Sequence, residues 1–255
     1  MVLVTVSMML MFEIVSAQTN WVWHNKRCAV VLTYDDALDV HLNNVVPALD
    51  SLKLKGTFYL TCKEPAFTQR IAAWKRAAAK GHELANHTIF HPCTGGPGRE
   101  WLSADYDLRN YSVKRMQDEV RLTNDLLHIA DGKKKRTFAY PCGDLKIHDS
   151  LYLDTTLFVA ARGTENTLTG IDQKDLYNIG CFAVDMHTGE QLIAEVKKAM
   201  AAGKALVFLF HGVGGGHDLN VSLEAHRQLL HFLKANQKEI WVPSFIEMAE
   251  WIKGN

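Results

Sequence analysis

Residues 28–36 read CAVVLTYDD, an apolar run that ends in two adjacent aspartates. A strand that is apolar on both faces is typical of a parallel sheet covered by helices on its outer surfaces. We therefore expect residues 28–34 to form a buried strand, with Asp35 and Asp36 directly after its carboxyl end.

The same pattern recurs along the chain, where short apolar runs alternate with amphipathic segments. The predicted strands cover residues 28–34, 57–61, 82–86, 136–140, 157–161, 204–210 and 241–242, and the predicted helices cover 41–54, 68–79, 113–130, 190–202, 222–236 and a short segment from Ser244. No glycine-rich dinucleotide motif interrupts this pattern. It predicts an α/β fold with about seven parallel strands, closed or nearly closed into a (β/α) barrel in preference to an open doubly wound sheet.

The composition excludes several classes of protein. Of 255 residues, 47% are hydrophobic and 22% are charged, which is inconsistent with a disordered, fibrous or polytopic membrane protein. Lys plus Arg and Asp plus Glu both number 28, so the formal net charge is zero. A nucleic-acid-binding surface normally shows a basic excess, so we expect no nucleic-acid partner.

The amino terminus carries an apolar run from Met1 to Phe12, too short to cross a bilayer. Its length suits the apolar region of a secretory signal, and Val15-Ser16-Ala17 is a small-x-small cleavage pattern. The basic region that normally precedes such a run is missing, which leaves a buried strand as the alternative. The signal interpretation makes residues 1–17 a signal peptide and residues 18–255 one exported catalytic domain, periplasmic or extracellular, with no membrane span.

Five cysteines are present, Cys28, Cys62, Cys93, Cys142 and Cys181, and none forms a C-x-x-C motif. An odd number without that motif argues against a full disulfide framework or a cysteine-rich zinc site. Buried free thiols are the preferred interpretation, with one or two bridges as the alternative.

Polar side chains follow the predicted strands where each ends. They are Asp35 and Asp36, His87 and His91, residues 141–144, Arg162, and His211. Two histidines four residues apart lie on one face of a helical turn and can reach one cation. An aspartate from another strand end would complete a two-histidine, one-carboxylate site, and the second aspartate could act as a base.

Four segments carry a family resemblance: TYDDA (33–37), HTIFHP (87–92), YPCG (140–143) and LFH (209–211). In this order they resemble the motifs of the polysaccharide deacetylase family, the NodB-type catalytic domain of carbohydrate esterase family four. The resemblance extends from Arg27 to Trp251. It implies a distorted or incomplete (β/α) TIM-like barrel of about seven parallel strands. It also implies a divalent metal that is usually zinc and sometimes cobalt or nickel, and an acetylated oligo- or polysaccharide substrate.

Position by position, the resemblance also implies roles. It makes Asp36, His87 and His91 the metal ligands, Asp35 the general base, His211 the general acid and the Cys142 backbone N–H part of the oxyanion hole. The implied reaction is hydrolysis of N- or O-linked acetyl groups by a metal-activated water.

Departures from the family pattern surround the base. Ala37 replaces a glycine, Cys142 replaces an aromatic residue, and Ala139 stands where the family places an arginine that orients the base. We hypothesise that Arg162 substitutes for that arginine; the alternative is a surface residue on an exposed turn. Asp185 is the nearest candidate for the acidic partner of the histidine acid.

Two other functions stay open from the sequence: an amidohydrolase acting on a non-sugar substrate, and a non-catalytic carbohydrate-binding barrel. The segment GVGGGH (212–217) lacks the Gly-Lys-Ser/Thr ending of a phosphate-binding loop. We interpret it as a mobile loop that borders the site.

Overall fold

The fold is built on one curved sheet, seen in a computed structural model that describes residues 22–255. The predicted signal peptide, residues 1–17, lies outside the described residues. The strands are β1 (Cys28–Asp35), β2 (Thr57–Leu60), β3 (Glu83–Asn86), β4 (Thr137–Ala139), β5 (Lys146–Ile147), β6 (Ser150–Leu151), β7 (Ala160–Arg162), β8 (Phe182–Ala183), β9 (Ala205–Phe210), β10 (Gly212–Val213), β11 (Asn220–Val221) and β12 (Ile240–Trp241).

The main sheet has the order β7-β4-β3-β2-β1-β9-β8, and every neighbouring pair is parallel. Strand β12 also pairs with β1, at the start of that strand. Within residues 22–255 the outer strands β7 and β8 do not pair, so the sheet curls into a half-barrel. The predicted incomplete barrel with about seven parallel strands is confirmed.

Among residues 22–255, seven α-helices connect and cover these strands. They are α1 (Val46–Leu52), α2 (Pro65–Thr68), α3 (Ile71–Ala79), α4 (Val113–Asp131), α5 (Gly189–Ala202), α6 (Leu223–Ala235) and α7 (Phe245–Gly254). Ser or Thr side chains cap the amino termini of α4 to α7, satisfying backbone N–H groups that have no partner within a helix. No helix in the part of the chain that the structure describes is long and apolar enough to cross a membrane.

Side-chain alternation along the strands separates an outer face from an inner face. On β1, Val30, Leu32 and Tyr34 pack outward with α1, α3, α5 and α6. Ala29 and Val31 face inward, where small and apolar residues of the other strands meet α7. The last helix therefore closes one end of the half-barrel, and the carboxyl ends of the strands surround the other.

Several predicted boundaries were wrong for local reasons. The predicted helix 41–54 begins as a π-helical turn, His41–Val45, before α1. The predicted helix 68–79 is split because Arg70 leaves helical geometry (φ −123°) while its guanidinium binds Asp39 and Asn43. The predicted strand 157–161 begins later, since the Asp154 side chain caps a 3₁₀ turn at Thr155–Leu157.

Two buried histidines brace this fold from its outer side. The Tyr34 hydroxyl lies 2.8 Å from His226 Nε2, and His41 Nε2 lies 2.8 Å from the backbone oxygen of His211. Burial lowers the pKa of His41 to about 4 and that of His226 to about 3. Both rings are therefore neutral in the folded protein at neutral pH.

These histidines predict loss of stability in acid. In the unfolded chain a histidine has a pKa of about 6.5, so below that pH the unfolded state binds more protons and the free energy of unfolding falls as pH falls. For His226→Gln, which does not titrate, we expect the loss between pH 6.5 and 4.5 to be smaller by about 2 kcal/mol. Urea unfolding at each pH measures this.

The control is His231→Gln, an exposed position on the same helix. It should leave the pH dependence of the wild-type protein unchanged. A His226→Gln variant with the same pH dependence as the wild type would show that His226 is not held neutral.

Candidate functional site

The side chains that face into the half-barrel are apolar along the strands and become polar at its open end. Asp35 follows Val31 by four residues, His87 follows Ala85 by two, and His211 follows Leu209 by two, so each shares the inward direction of its apolar predecessor. The strands are parallel, and these side chains therefore converge at one edge.

Asp36 lies at the centre of this group. Its backbone has φ 81°, which turns the chain immediately after β1. Asp36 Oδ1 lies 3.5 Å from His87 Nε2 and 3.5 Å from His91 Nε2. Ligand atoms of these three residues all lie within 4.8 Å of one another, so the structure brings the predicted metal ligands together.

The two histidines converge without a helix, and that part of the prediction was wrong. Thr88 and His91 both have left-handed backbones, with φ 65° and φ 56°. The Asn86 side chain accepts the Thr88 N–H at 2.9 Å, and the Thr88 hydroxyl accepts the His91 N–H at 2.9 Å. These bonds form a tight loop in which the two imidazole centroids are 4.8 Å apart.

A backbone carbonyl orients His87. Its Nδ1 lies 2.8 Å from the Ala139 backbone oxygen, which can only accept, so Nδ1 carries the proton. The lone pair of Nε2 is then free and faces Asp36. A ligand histidine commonly donates its other ring N–H to a carbonyl in this way.

The chemistry of the donor set fits a divalent cation. Asp36 Oδ1 is buried, and no hydrogen-bond donor among residues 22–255 reaches it. Although burial raises the pKa of Asp36, the neighbouring His87, His91 and His211 lower it well below its usual range. A charged carboxylate oxygen beside two imidazole nitrogens matches the ligands that zinc takes in catalytic sites.

Asp35 is paired with Arg162, which is 1% exposed and is not the surface residue of the alternative interpretation. Arg162 Nη2 donates to Asp35 Oδ2, and its guanidinium also lies over the Tyr59 ring. Arg162 on β7 is the register partner of Ala139 on β4. The guanidinium thus comes from β7, the neighbour of the strand on which the family places its arginine, and from the same register position.

Cys142 forms a disulfide with Cys93, so the prediction of free thiols was wrong for these two cysteines. Cys93 follows His91 by two residues, and Cys142 lies in the turn after β4. The pairing could not be predicted because it depends on two loops, 49 residues apart in sequence, lying side by side. Cys28, Cys62 and Cys181 are buried and free, as predicted.

His211 lies on the other side of Asp36, with its Nε2 3.8 Å from Oδ2. Burial lowers its pKa, while Asp35 and Asp36 oppose that shift. The prediction for Asp185 was wrong: its side chain is exposed, and no residue among 22–255 hydrogen-bonds the buried His211 Nδ1. Val184, beside it, is buried instead, in the apolar cluster on the outer face of the sheet.

His217 was not predicted as a site residue, although it also lies against Asp36. Its Nε2 is 3.8 Å from Asp36 Oδ2, and its ring stacks on His211 with centroids 4.7 Å apart. The signal available in the sequence was the glycine-rich segment directly after His211, which folds back over the site.

Comparison with known proteins agrees with this architecture. A family model described as polysaccharide deacetylase matches residues 24–163. A curated relative, the uncharacterized protein YlxY of Bacillus subtilis strain 168, is 26% identical over 106 residues. That match covers 42% of this chain and only 28% of the relative's length.

Solved structures share the fold at low sequence identity. A Mycobacterium smegmatis protein assigned to the polysaccharide deacetylases has a TM-score of 0.62 and 15% identity, covering 90% of this chain and 91% of that one. The peptidoglycan deacetylase PdaC from Bacillus subtilis has a TM-score of 0.52 and 16% identity, covering 89% and 91%. A mutant of a CE4-family pseudoenzyme with restored activity has a TM-score of 0.54 and 18% identity, covering 88% and 68%.

The convergence of Asp36, His87 and His91 predicts one tightly held zinc ion per chain. After zinc loading and dialysis, we expect elemental analysis to find about one equivalent in the wild-type protein, because three protein ligands are sufficient for a catalytic zinc site. Asp36→Ala should retain almost none. His231→Gln is the control and should retain the full equivalent; equal retention by Asp36→Ala would remove Asp36 from the ligand set.

Proposed function

Because this chain belongs to the polysaccharide deacetylase family, we propose that it is a metal-dependent hydrolase that removes acetyl groups from a carbohydrate. One observation carries the proposal. Asp36, His87 and His91 are close enough together to bind one cation, and beside them lies a second carboxylate, Asp35, which is hydrogen-bonded by Arg162. A binding protein has no need of a fixed, buried base next to its ligand group.

The proposed base is Asp35. Arg162 occupies its Oδ2, whereas Oδ1 is buried and no donor among the described residues reaches it. That oxygen can accept the proton of a water molecule as the water attacks the acetyl carbonyl. His87 Nε2 lies 3.8 Å from Asp35, so the base and the ligand group border the same space.

The remaining steps are activation of the acyl group, stabilisation of the oxyanion and protonation of the leaving group. When bound, a divalent cation supplies Lewis-acid chemistry, polarising the acyl oxygen and lowering the pKa of water toward neutrality. The Cys142 backbone N–H would donate to the tetrahedral oxyanion. His211 would protonate the departing amine or alkoxide, a task that suits an imidazole.

Disulfide-bonded Cys93 and Cys142 suit an oxidising compartment. This supports the proposal that residues 18–255 act as one catalytic domain outside the cytoplasm. Amino-terminal sequencing of the secreted protein, with Gln18 as the expected first residue, tests it.

The direct test of the activity is release of acetate. We expect the zinc-loaded protein to release acetate from at least one of acetylated xylan, N-acetylchitooligosaccharides and peptidoglycan fragments, because the site presents both base and cation ligands. A chelator should abolish release, and added zinc should restore it. Acetate is measured by an enzyme-coupled assay.

Two outcomes would contradict the proposal. Sugar binding without acetate release by the zinc-loaded protein would indicate a non-catalytic carbohydrate-binding barrel. Hydrolysis of simple amides, with none of the acetylated glycans hydrolysed, would indicate an amidohydrolase that acts on non-sugar substrates.

Arg162 should support turnover more than binding of substrate. In Arg162→Ala we expect kcat to fall about 100-fold, because the base loses its orientation, with KM within about threefold of the wild type. The double variant Ala139→Arg/Arg162→Ala returns the guanidinium to the neighbouring strand at the same register. It should recover part of the lost kcat.

Arg109→Ala, which removes an exposed guanidinium, is the control and should keep wild-type kinetics. Because a buried charge pair is disturbed, circular dichroism must show that each variant folds. A folded Arg162→Ala protein with unchanged kcat would discard the role of Arg162.

A further inference from the structure

The segment after His211 packs so that His217 lies over the site. Strands β10 and β11 pair with each other on either side of it. Gly214 has φ 73°, and a Cβ there would come within 2.5 Å of the Leu223 side chain. Gly216 has φ 86°, and a Cβ there would come within 2.9 Å of Val40. The glycines therefore allow this loop to pack tightly against α6 and the segment after Asp36.

His217 faces both the site and the solvent. Its side chain is 33% exposed, and its ring is nearly parallel to that of His211, at 18°. Its Nε2 lies 3.8 Å from Asp36 Oδ2, whereas His87 and His91 lie against the other oxygen, Oδ1. A substrate entering from solvent would meet this ring next to the reacting group.

The hydrogen bond of the other ring nitrogen assigns the proton. The Leu219 backbone N–H donates to His217 Nδ1 at 3.0 Å, so Nδ1 is an acceptor. In a neutral imidazole the proton is then on Nε2. His87 has the opposite arrangement, with its proton on Nδ1 and a lone pair on Nε2. His217 thus presents a donor where the metal-ligand histidine presents an acceptor.

We propose that His217 is a substrate-binding residue whose Nε2–H donates a hydrogen bond to a sugar oxygen next to the acetyl group. The inference rests on the proposed function and names one source of its selectivity for carbohydrate. A fixed donor at the mouth of a site selects substrates that present an acceptor there. Sugar hydroxyl and ring oxygens provide such acceptors.

The test compares variants that remove or keep the donor. His217→Phe keeps a flat ring against His211 without an N–H, and His217→Asn accepts the Leu219 N–H but is too short to place a donor at the Nε2 position. His217→Gln can place its amide nitrogen there. Steady-state kinetics use whichever of acetylated xylan and N-acetylchitopentaose the wild-type protein hydrolyses faster.

We expect KM to rise about tenfold in His217→Phe and His217→Asn, the loss of one hydrogen bond, with kcat within about threefold of the wild type. His217→Gln should stay within about threefold of the wild-type KM, and all three variants should retain one zinc. His231→Phe repeats the exchange on an exposed helix face and should change nothing.

Three results would overturn the inference while the proposed function stands. An unchanged KM in both donor-free variants would show that no substrate atom binds Nε2. Loss of zinc would make His217 a ligand. A fall in kcat with unchanged KM in all three variants would mean that His217 acts only through His211. Absence of acetate release by the wild-type protein would instead overturn the proposed function.

Discussion

The carboxylate of Asp36 organises the open end of the half-barrel. One of its oxygens faces His87 and His91, and the other faces His211 and His217. This position follows from topology: β1 is central in the sheet, between β2 and β9, so a residue at its end lies between the loops that follow strands on both sides. Moving Asp36 to an outer strand would separate the two histidine pairs.

The second constraint is the buried pair of Asp35 and Arg162. Both side chains are almost completely excluded from solvent, and removing a buried charge from water is costly unless it is paired and hydrogen-bonded. Burial lowers the pKa of Arg162, but Asp35 outweighs that effect and keeps the guanidinium charged. Such a pair is a poor way to stabilise a fold, and its position beside the proposed cation ligands is consistent with a role in chemistry.

Much of the fold could be predicted because the spacing of apolar residues within one segment indicates whether that segment forms a helix or a strand. The long helices α4, α5 and α6 and the apolar strands β1 and β9 were predicted within one or two residues. Strand β8, only two residues long, is too short to show a pattern. The open edge between β7 and β8 depends on loops and could not be inferred from strand count.

The residues of the candidate site also fall into those that could be predicted from the sequence and those that could not. Residues directly after strands, such as Asp36, His87 and His211, could be placed together because parallel strands end at one edge. The contact of Arg162 with Asp35 depends on the register of β4 against β7, and the disulfide of Cys93 and Cys142 depends on two loops meeting. His217 depends on a loop folding back over its own strand. These are relations between segments, which a linear pattern does not contain.

The most direct measurement is anomalous X-ray diffraction at the zinc edge from zinc-loaded crystals of this protein. We expect one strong peak about 2.0–2.2 Å from Asp36 Oδ1, His87 Nε2 and His91 Nε2, with Asp35 alongside but outside bonding distance. A peak at other residues, or none at these three, would contradict this expectation.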